Sequence, residues 1–134
     1  MMNNNLSFEA KCDILFKLIN KVDYFWNFIH ISNGTLLIFL LGTGVSKMEV
    51  LYKVLCSVIY CAFMIHNLQA HIRAYGFLEQ LVTEIKEEIK NQVFYNLKLS
   101  AIINNLSYRM KTVICVLVYT AYTIIILFFI WFKY

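Results

Sequence analysis

Three stretches of this chain carry no charged side chain: Tyr24–Ser46, Val54–Ile72 and Thr112–Phe132, of 23, 19 and 21 residues. An α-helix rises about 1.5 Å per residue, so about 20 apolar residues cross the hydrocarbon core of a bilayer. These windows constrain the fold more than any other feature. They predict an all-α integral membrane protein with three transmembrane helices. Sixty per cent of the residues are apolar and 15% charged, against about 25% charged in an ordinary soluble domain. A soluble domain of 134 residues has too much surface per volume to hide such a composition. The rival for the second window is a buried helix of a soluble bundle, because His66, Asn67, Gln69 and His71 crowd its end; its apolar heart is Val54–Ile65.

The chain reads as one membrane domain, 1–134, without an internal linker. It has no proline, which suits long helices and removes the commonest cause of kinks. The first 21 residues lack the apolar core and small-residue cleavage site of a signal peptide, so the segment is expected in the mature protein.

Lys and Arg favour the cytoplasmic side of a membrane. Lys11, Lys17 and Lys21 precede the first window, and Arg73, Lys86, Lys90, Lys98, Arg109 and Lys111 lie between the second and third. The other side holds only Lys47, Lys53 and Lys133. This asymmetry predicts a cytoplasmic N-terminus and an outside C-terminus, in a plasma or bacterial inner membrane. The net charge of +4 comes without a basic run, so no nucleic acid is expected.

Phe8, Cys12, Leu15, Ile19, Val22 and Trp26 recur at steps of three and four, one face of an amphipathic helix over 6–22. Ser7 suits its N-cap. Such a helix lies at the membrane interface or packs on cytoplasmic helices of this or another chain. The first span is expected over 24–44. Its centre, His30-Ile-Ser-Asn-Gly-Thr35, raises the choice between a polar stripe and a turn. A turn would leave eleven residues, Thr35–Val45, too few to cross. A continuous helix instead places Asn27, His30 and Gly34, with Asn33 nearby, on one packed side. Small and polar residues let membrane helices approach and hydrogen-bond. Gly34→Leu is thus expected to push a neighbouring helix away, whereas Phe39 is expected to face lipid. Gly42-Thr43-Gly44 is expected to end this span.

The second helix is expected over 52–90, with a stripe of Ser57, Tyr60, Cys61, Met64 and Asn67 or Leu68. Beyond Ile72 an apolar stripe of Leu78, Val82, Ile85 and Ile89 continues beside Glu79, Glu84, Lys86, Glu87, Glu88 and Lys90. The third helix is expected over 96–132, with Leu99, Ile102 or Ile103, and Leu106 before the span. A turn near 91–95 joins the two, giving a cytoplasmic antiparallel extension of helices two and three, each helix roughly 55 Å long. One rod over 73–107 along the membrane is the rival.

Catalytic groupings are absent, so no enzyme, metal or cofactor is expected. Cys12, Cys56, Cys61 and Cys115 form no C-x-x-C pair and read as reduced apolar residues. His66 and His71 are five apart, whereas helical metal ligands want three or four. His30, an ionisable group at depth, is a functional candidate by default. Its plainer role is a hydrogen bond to a neighbouring helix. The helix-packing or pore-lining candidates are Asn27, His30, Asn33, Gly34, Ser57, Tyr60, Cys61 and Met64.

From Lys11 to Ile89 the layout resembles the SLATT-type small bacterial membrane effectors, through ISNGTLLIFLLGTGV in the first span and IHNLQAHIRAYGFLEQLVTEI at the exit from the second. The resemblance implies a membrane hairpin with a long cytoplasmic helix, and perforation or depolarisation of membranes when triggered. The third span departs from that family's soluble tail. HIRAYGFLEQLVTEIKEEI with SYRMKTVICVLVYTAYTIIILFF also resembles the region between the second and third spans of insect odorant receptors. That would make the chain a fragment of a seven-span receptor. The expected function is a homo-oligomeric pore-forming or membrane-disrupting effector in the lipid bilayer. The alternative is a receptor or scaffold subunit whose cytoplasmic helices meet a protein partner; an intramembrane enzyme comes third.

Overall fold

The computed structural model describes residues 7–42, 49–91, 101–103 and 105–132. Its long helices are α1 (Phe8–Gly42), α2 (Val50–Asn91) and α3 (Arg109–Phe132), and no strand occurs among the described residues. Each is long and apolar enough to cross a membrane. Only 17%, 11% and 22% of the most apolar window of α1, α2 and α3 is buried. So much outward apolar surface calls for an apolar solvent, and lipid supplies one.

α1 answers the choice posed by its polar centre. It runs unbroken through His30–Thr35 to Gly42, so the amphipathic segment and the span are one helix of 35 residues. Ser7 accepts a hydrogen bond from the backbone N–H of Ala10 at 3.3 Å and caps it. The anticipated stripe faces inward: Cys12, Leu15 and Val22 are buried, with Phe8, Ile19 and Trp26 packed beside them. Its partner is α2 of the same chain, so this segment rests on protein and not on the membrane surface alone.

α2 lies antiparallel to both neighbours. On α1 the pairs run from Asn33–Tyr60 through Trp26–Tyr75 to Lys11–Glu88. On α3 they run from Ser57–Trp131 through His71–Tyr119 to Glu79–Tyr108. The result is an up-down-up bundle. The charge-free windows of all three helices start and stop near one level, marked by Trp26, Tyr75 and Tyr108. Beyond that level the bundle continues around Leu15, Leu78, Leu81, Val82, Ile85 and Ile103.

The expected single helix over 96–132 is corrected. Residues 101–103 are helical, residues 105–108 are not, and α3 begins at Arg109. Two contacts from α2 occupy backbone groups at the break. Lys86 Nζ donates to the Leu106 carbonyl at 2.8 Å, and the Tyr108 N–H donates to the Glu79 carboxylate at 2.7 Å. A carboxylate at a helix start also complements the helix dipole. Ile103 and Leu106 still reach the core. Because Leu106 and Tyr108 lie back against Lys86 and Glu79 of α2, a single rod over 73–107 is excluded. The turn expected at 91–95 and the Gly42-Thr43-Gly44 terminus extend outside the described residues.

Candidate functional site

The polar groups of the three spans meet in a seam down the middle of the bundle. At its deep end Asn33, 2% exposed, joins α1 to α2. Its Nδ2 donates to the Ile29 carbonyl at 2.8 Å and lies 3.9 Å from Met64 Sδ, while its Oδ1 accepts from Tyr60 Oη at 2.5 Å. Polar side chains surrounded by apolar groups are costly unless paired, and this pair satisfies both ends of the amide. Farther along α2, the Ser57 hydroxyl donates to the Lys53 carbonyl at 2.8 Å and accepts from Trp131 Nε1 of α3 at 3.1 Å.

One to two turns toward the membrane boundary the seam becomes aromatic. His30 Nδ1 lies 2.7 Å from Tyr122 Oη, and its ring stacks on Trp26 with centroids 5.2 Å apart. Trp26 Nε1 donates to Tyr75 Oη. His71, 4% exposed, packs against Trp26, Tyr75, Tyr119 and Phe25. Its Nδ1 lies 2.9 Å from Tyr119 Oη and 3.2 Å from the Asn67 carbonyl, while its Nε2 is buried without a partner. In either neutral tautomer Nε2 has an unmet hydrogen-bonding capacity, a proton in one and a lone pair in the other.

Beyond the boundary the seam ends in charges. Lys11 bonds Glu88 and lies 3.9 Å from Glu84, although its own residue is only 8% exposed. The Glu88 hydrogen bond, with the charges of Glu88 and Glu84, holds the Lys11 ammonium above its ordinary pKa despite opposing desolvation. Burial, with a lesser push from Glu88, raises the Cys12 thiol, which disfavours the reactive thiolate. Tyr108 is pushed up to about 12, first by burial and then by Asp23 and its neighbours.

The expected residues divide clearly. Asn33, Tyr60 and Met64 are brought together and buried; Ser57 and Cys61 are half-buried; His30 bonds to a neighbouring helix. Asn27 is exposed, so its expected place on the packed side of α1 is corrected for the single chain. At Gly34 an added Cβ would meet nothing within 4 Å, so among the described residues no helix of this chain approaches it closely. Phe39 is 60% exposed, on an outward side as expected. The polar stripes of α1 and α2 are thus spent largely on each other and on α3.

Sequence reading undervalued His71, Tyr119 and Tyr122. Their signal is Asn67, His71 and Tyr75 at four-residue steps on α2, facing Tyr119 and Tyr122 three apart on α3. All four cysteines are free, and no group of three His, Cys, Asp or Glu able to hold a metal occurs among the described residues. The arrangement offers cohesion, with an unpaired imidazole nitrogen at its centre. No family model, curated protein or solved structure matches the chain.

Proposed function

We propose that this chain is a non-enzymatic integral membrane protein that works as a homo-oligomer, either forming a pore or disrupting the bilayer. The observation that carries this reading is the outward face of α1. Asn27, Ile31, Gly34 and Ile38 lie along it at helical spacing; Ile31 and Ile38 are largely exposed, and Gly34 has open space above it. A small residue flanked by a polar one suits close approach of another membrane helix. With the internal stripes already hydrogen-bonded, this face remains for a second copy. Any pore then lies between chains.

The rival is a receptor or scaffold subunit acting through its extramembrane helices. The Lys11–Glu88 pair and the Glu79 and Lys86 contacts make that end firm enough to present a surface. Liposomes that hold a potassium diffusion potential separate the readings. The pore-forming protein should collapse the potential and crosslink into oligomers. A chain that stays monomeric and leaves the potential intact sinks the proposal. The cytoplasmic N-terminus and outside C-terminus belong to this reading and rest on the lysine and arginine asymmetry.

A further inference from the structure

We infer that the groove between α1 and α2 at the membrane boundary binds the phosphate of an anionic phospholipid. The inference rests on the membrane reading and is independent of pore formation. A cavity of about 180 Å³ opens there, lined by Lys21, Val22 and Phe25 of α1 and by Asn67, Ala70 and His71 of α2, among others. Its level is set by the charges: Lys21 lies just before the first charge-free window, and Arg73 directly follows the second. Phospholipid phosphates occupy this level in a bilayer.

The lining suits an anion with an apolar tail. Lys21 is exposed and makes no ion pair among the described residues, whereas Lys17, one turn away, is 2.7 Å from Asp13. Asp23 does not line the groove; it lies close enough to Tyr75 and Tyr108 to act on their hydroxyls. Asn67 Nδ2 donates one proton to the Phe63 carbonyl at 2.8 Å, which leaves its second N–H for a ligand. His71 contributes the wall of a nearly buried ring. The remaining walls are apolar, with Phe25 half-exposed toward lipid. Lys21 would repel a metal cation, and a free phosphate would leave the apolar walls uncovered. A lipid satisfies both halves, with its phosphate on Lys21 and Asn67 and its first methylenes against Val22 and Phe25.

The full chain, purified in a maltoside detergent, is titrated with palmitoyl-oleoyl phosphatidylglycerol or phosphatidylcholine, and bound lipid is counted by native mass spectrometry. One phosphatidylglycerol per chain should be retained in preference to phosphatidylcholine. Lys21→Ala should weaken retention about fivefold, the scale of one basic contact with an anionic lipid. Ala70→Leu grows from an exposed position into the groove and should abolish it, while Lys17→Ala should leave it unchanged. Circular dichroism identifies variants that keep their helices. Equal retention of the two lipids overturns the inference, as does undiminished phosphatidylglycerol binding in both folded groove variants. Displacement by millimolar glycerol phosphate would show a soluble-anion site and overturns it as well.

Discussion

Tyr60→Phe tests whether the deep end of the seam holds α1 to α2. The variant removes one oxygen and leaves the ring. Asn33 Oδ1 then loses the Tyr60 hydroxyl that it accepts at 2.5 Å, while Asn33 Nδ2 keeps the Ile29 carbonyl. In a soluble core an orphaned polar group costs about 1–3 kcal/mol. In a membrane the unfolded helices also find partners, and measured pair couplings average about 0.6 and reach about 1.7 kcal/mol. Asn33 is 2% exposed, so no solvent replaces the lost donor. The upper half of that range applies, and we expect Tyr60→Phe to cost about 1 kcal/mol. Asn33→Leu removes the other partner at similar volume. The double variant closes a cycle, read by Trp fluorescence during reversible unfolding in maltoside micelles with increasing dodecyl sulfate. A coupling near 1 kcal/mol is expected. Additivity within about 0.3 kcal/mol would show that this bond does not hold the two helices together, and the seam would lose its assigned role.

Three other outcomes follow from named contacts. Gly34→Leu meets open space, so it should leave the stability of the single chain within about 0.5 kcal/mol yet lower crosslinked oligomer in liposomes; unchanged oligomer would remove the α1 outward face as the contact. The Glu88 bond raises Lys11 above 10.5, so its stabilisation is complete below pH 10.5 and is lost as pH rises through the raised value. The unfolding free-energy gap between wild type and Lys11→Met should therefore stay constant from pH 7 to pH 10 and narrow only above 10.5; a gap that closes near neutrality would contradict the assignment. A reporter fused after Tyr134 should read outside and one inserted at Asn91 inside, and the reverse pattern would reject the charge-based orientation.

The three spans were legible because charge cannot be hidden in hydrocarbon, so its absence over about 20 residues is hard to misread. The Cys12, Leu15 and Val22 face was legible for a related reason: helical periodicity assigns one side to the core. Asn27 and Asn33 show where periodicity stops helping. Both lie near the side marked by His30, but Tyr60 and Met64 stand opposite only one of them. That choice belongs to the partner helix. The break at 105–108 was hidden for the same reason. Ile102, Ile103 and Leu106 keep helical spacing with no proline or glycine, and the groups that engage the backbone there, Glu79 and Lys86, lie 29 and 20 positions before the residues they bond. His71 was discounted because its five-residue spacing from His66 makes no metal pair, although its neighbours turn out to be aromatic rings on the other helices.

The unbroken length of α2 has a mechanical consequence. Its 42 residues make a rod of about 63 Å without the proline that would provide a hinge. Its deep half is fastened to Asn33 and Trp131, and its far half to Lys11. Pivoted at the Trp26, Tyr75 and Tyr108 level, such a rod would act as a lever. A tilt of roughly 10° about that level would carry the far tip near Asn91 about 4 Å. Force applied to either arm reaches the other by rigid rotation.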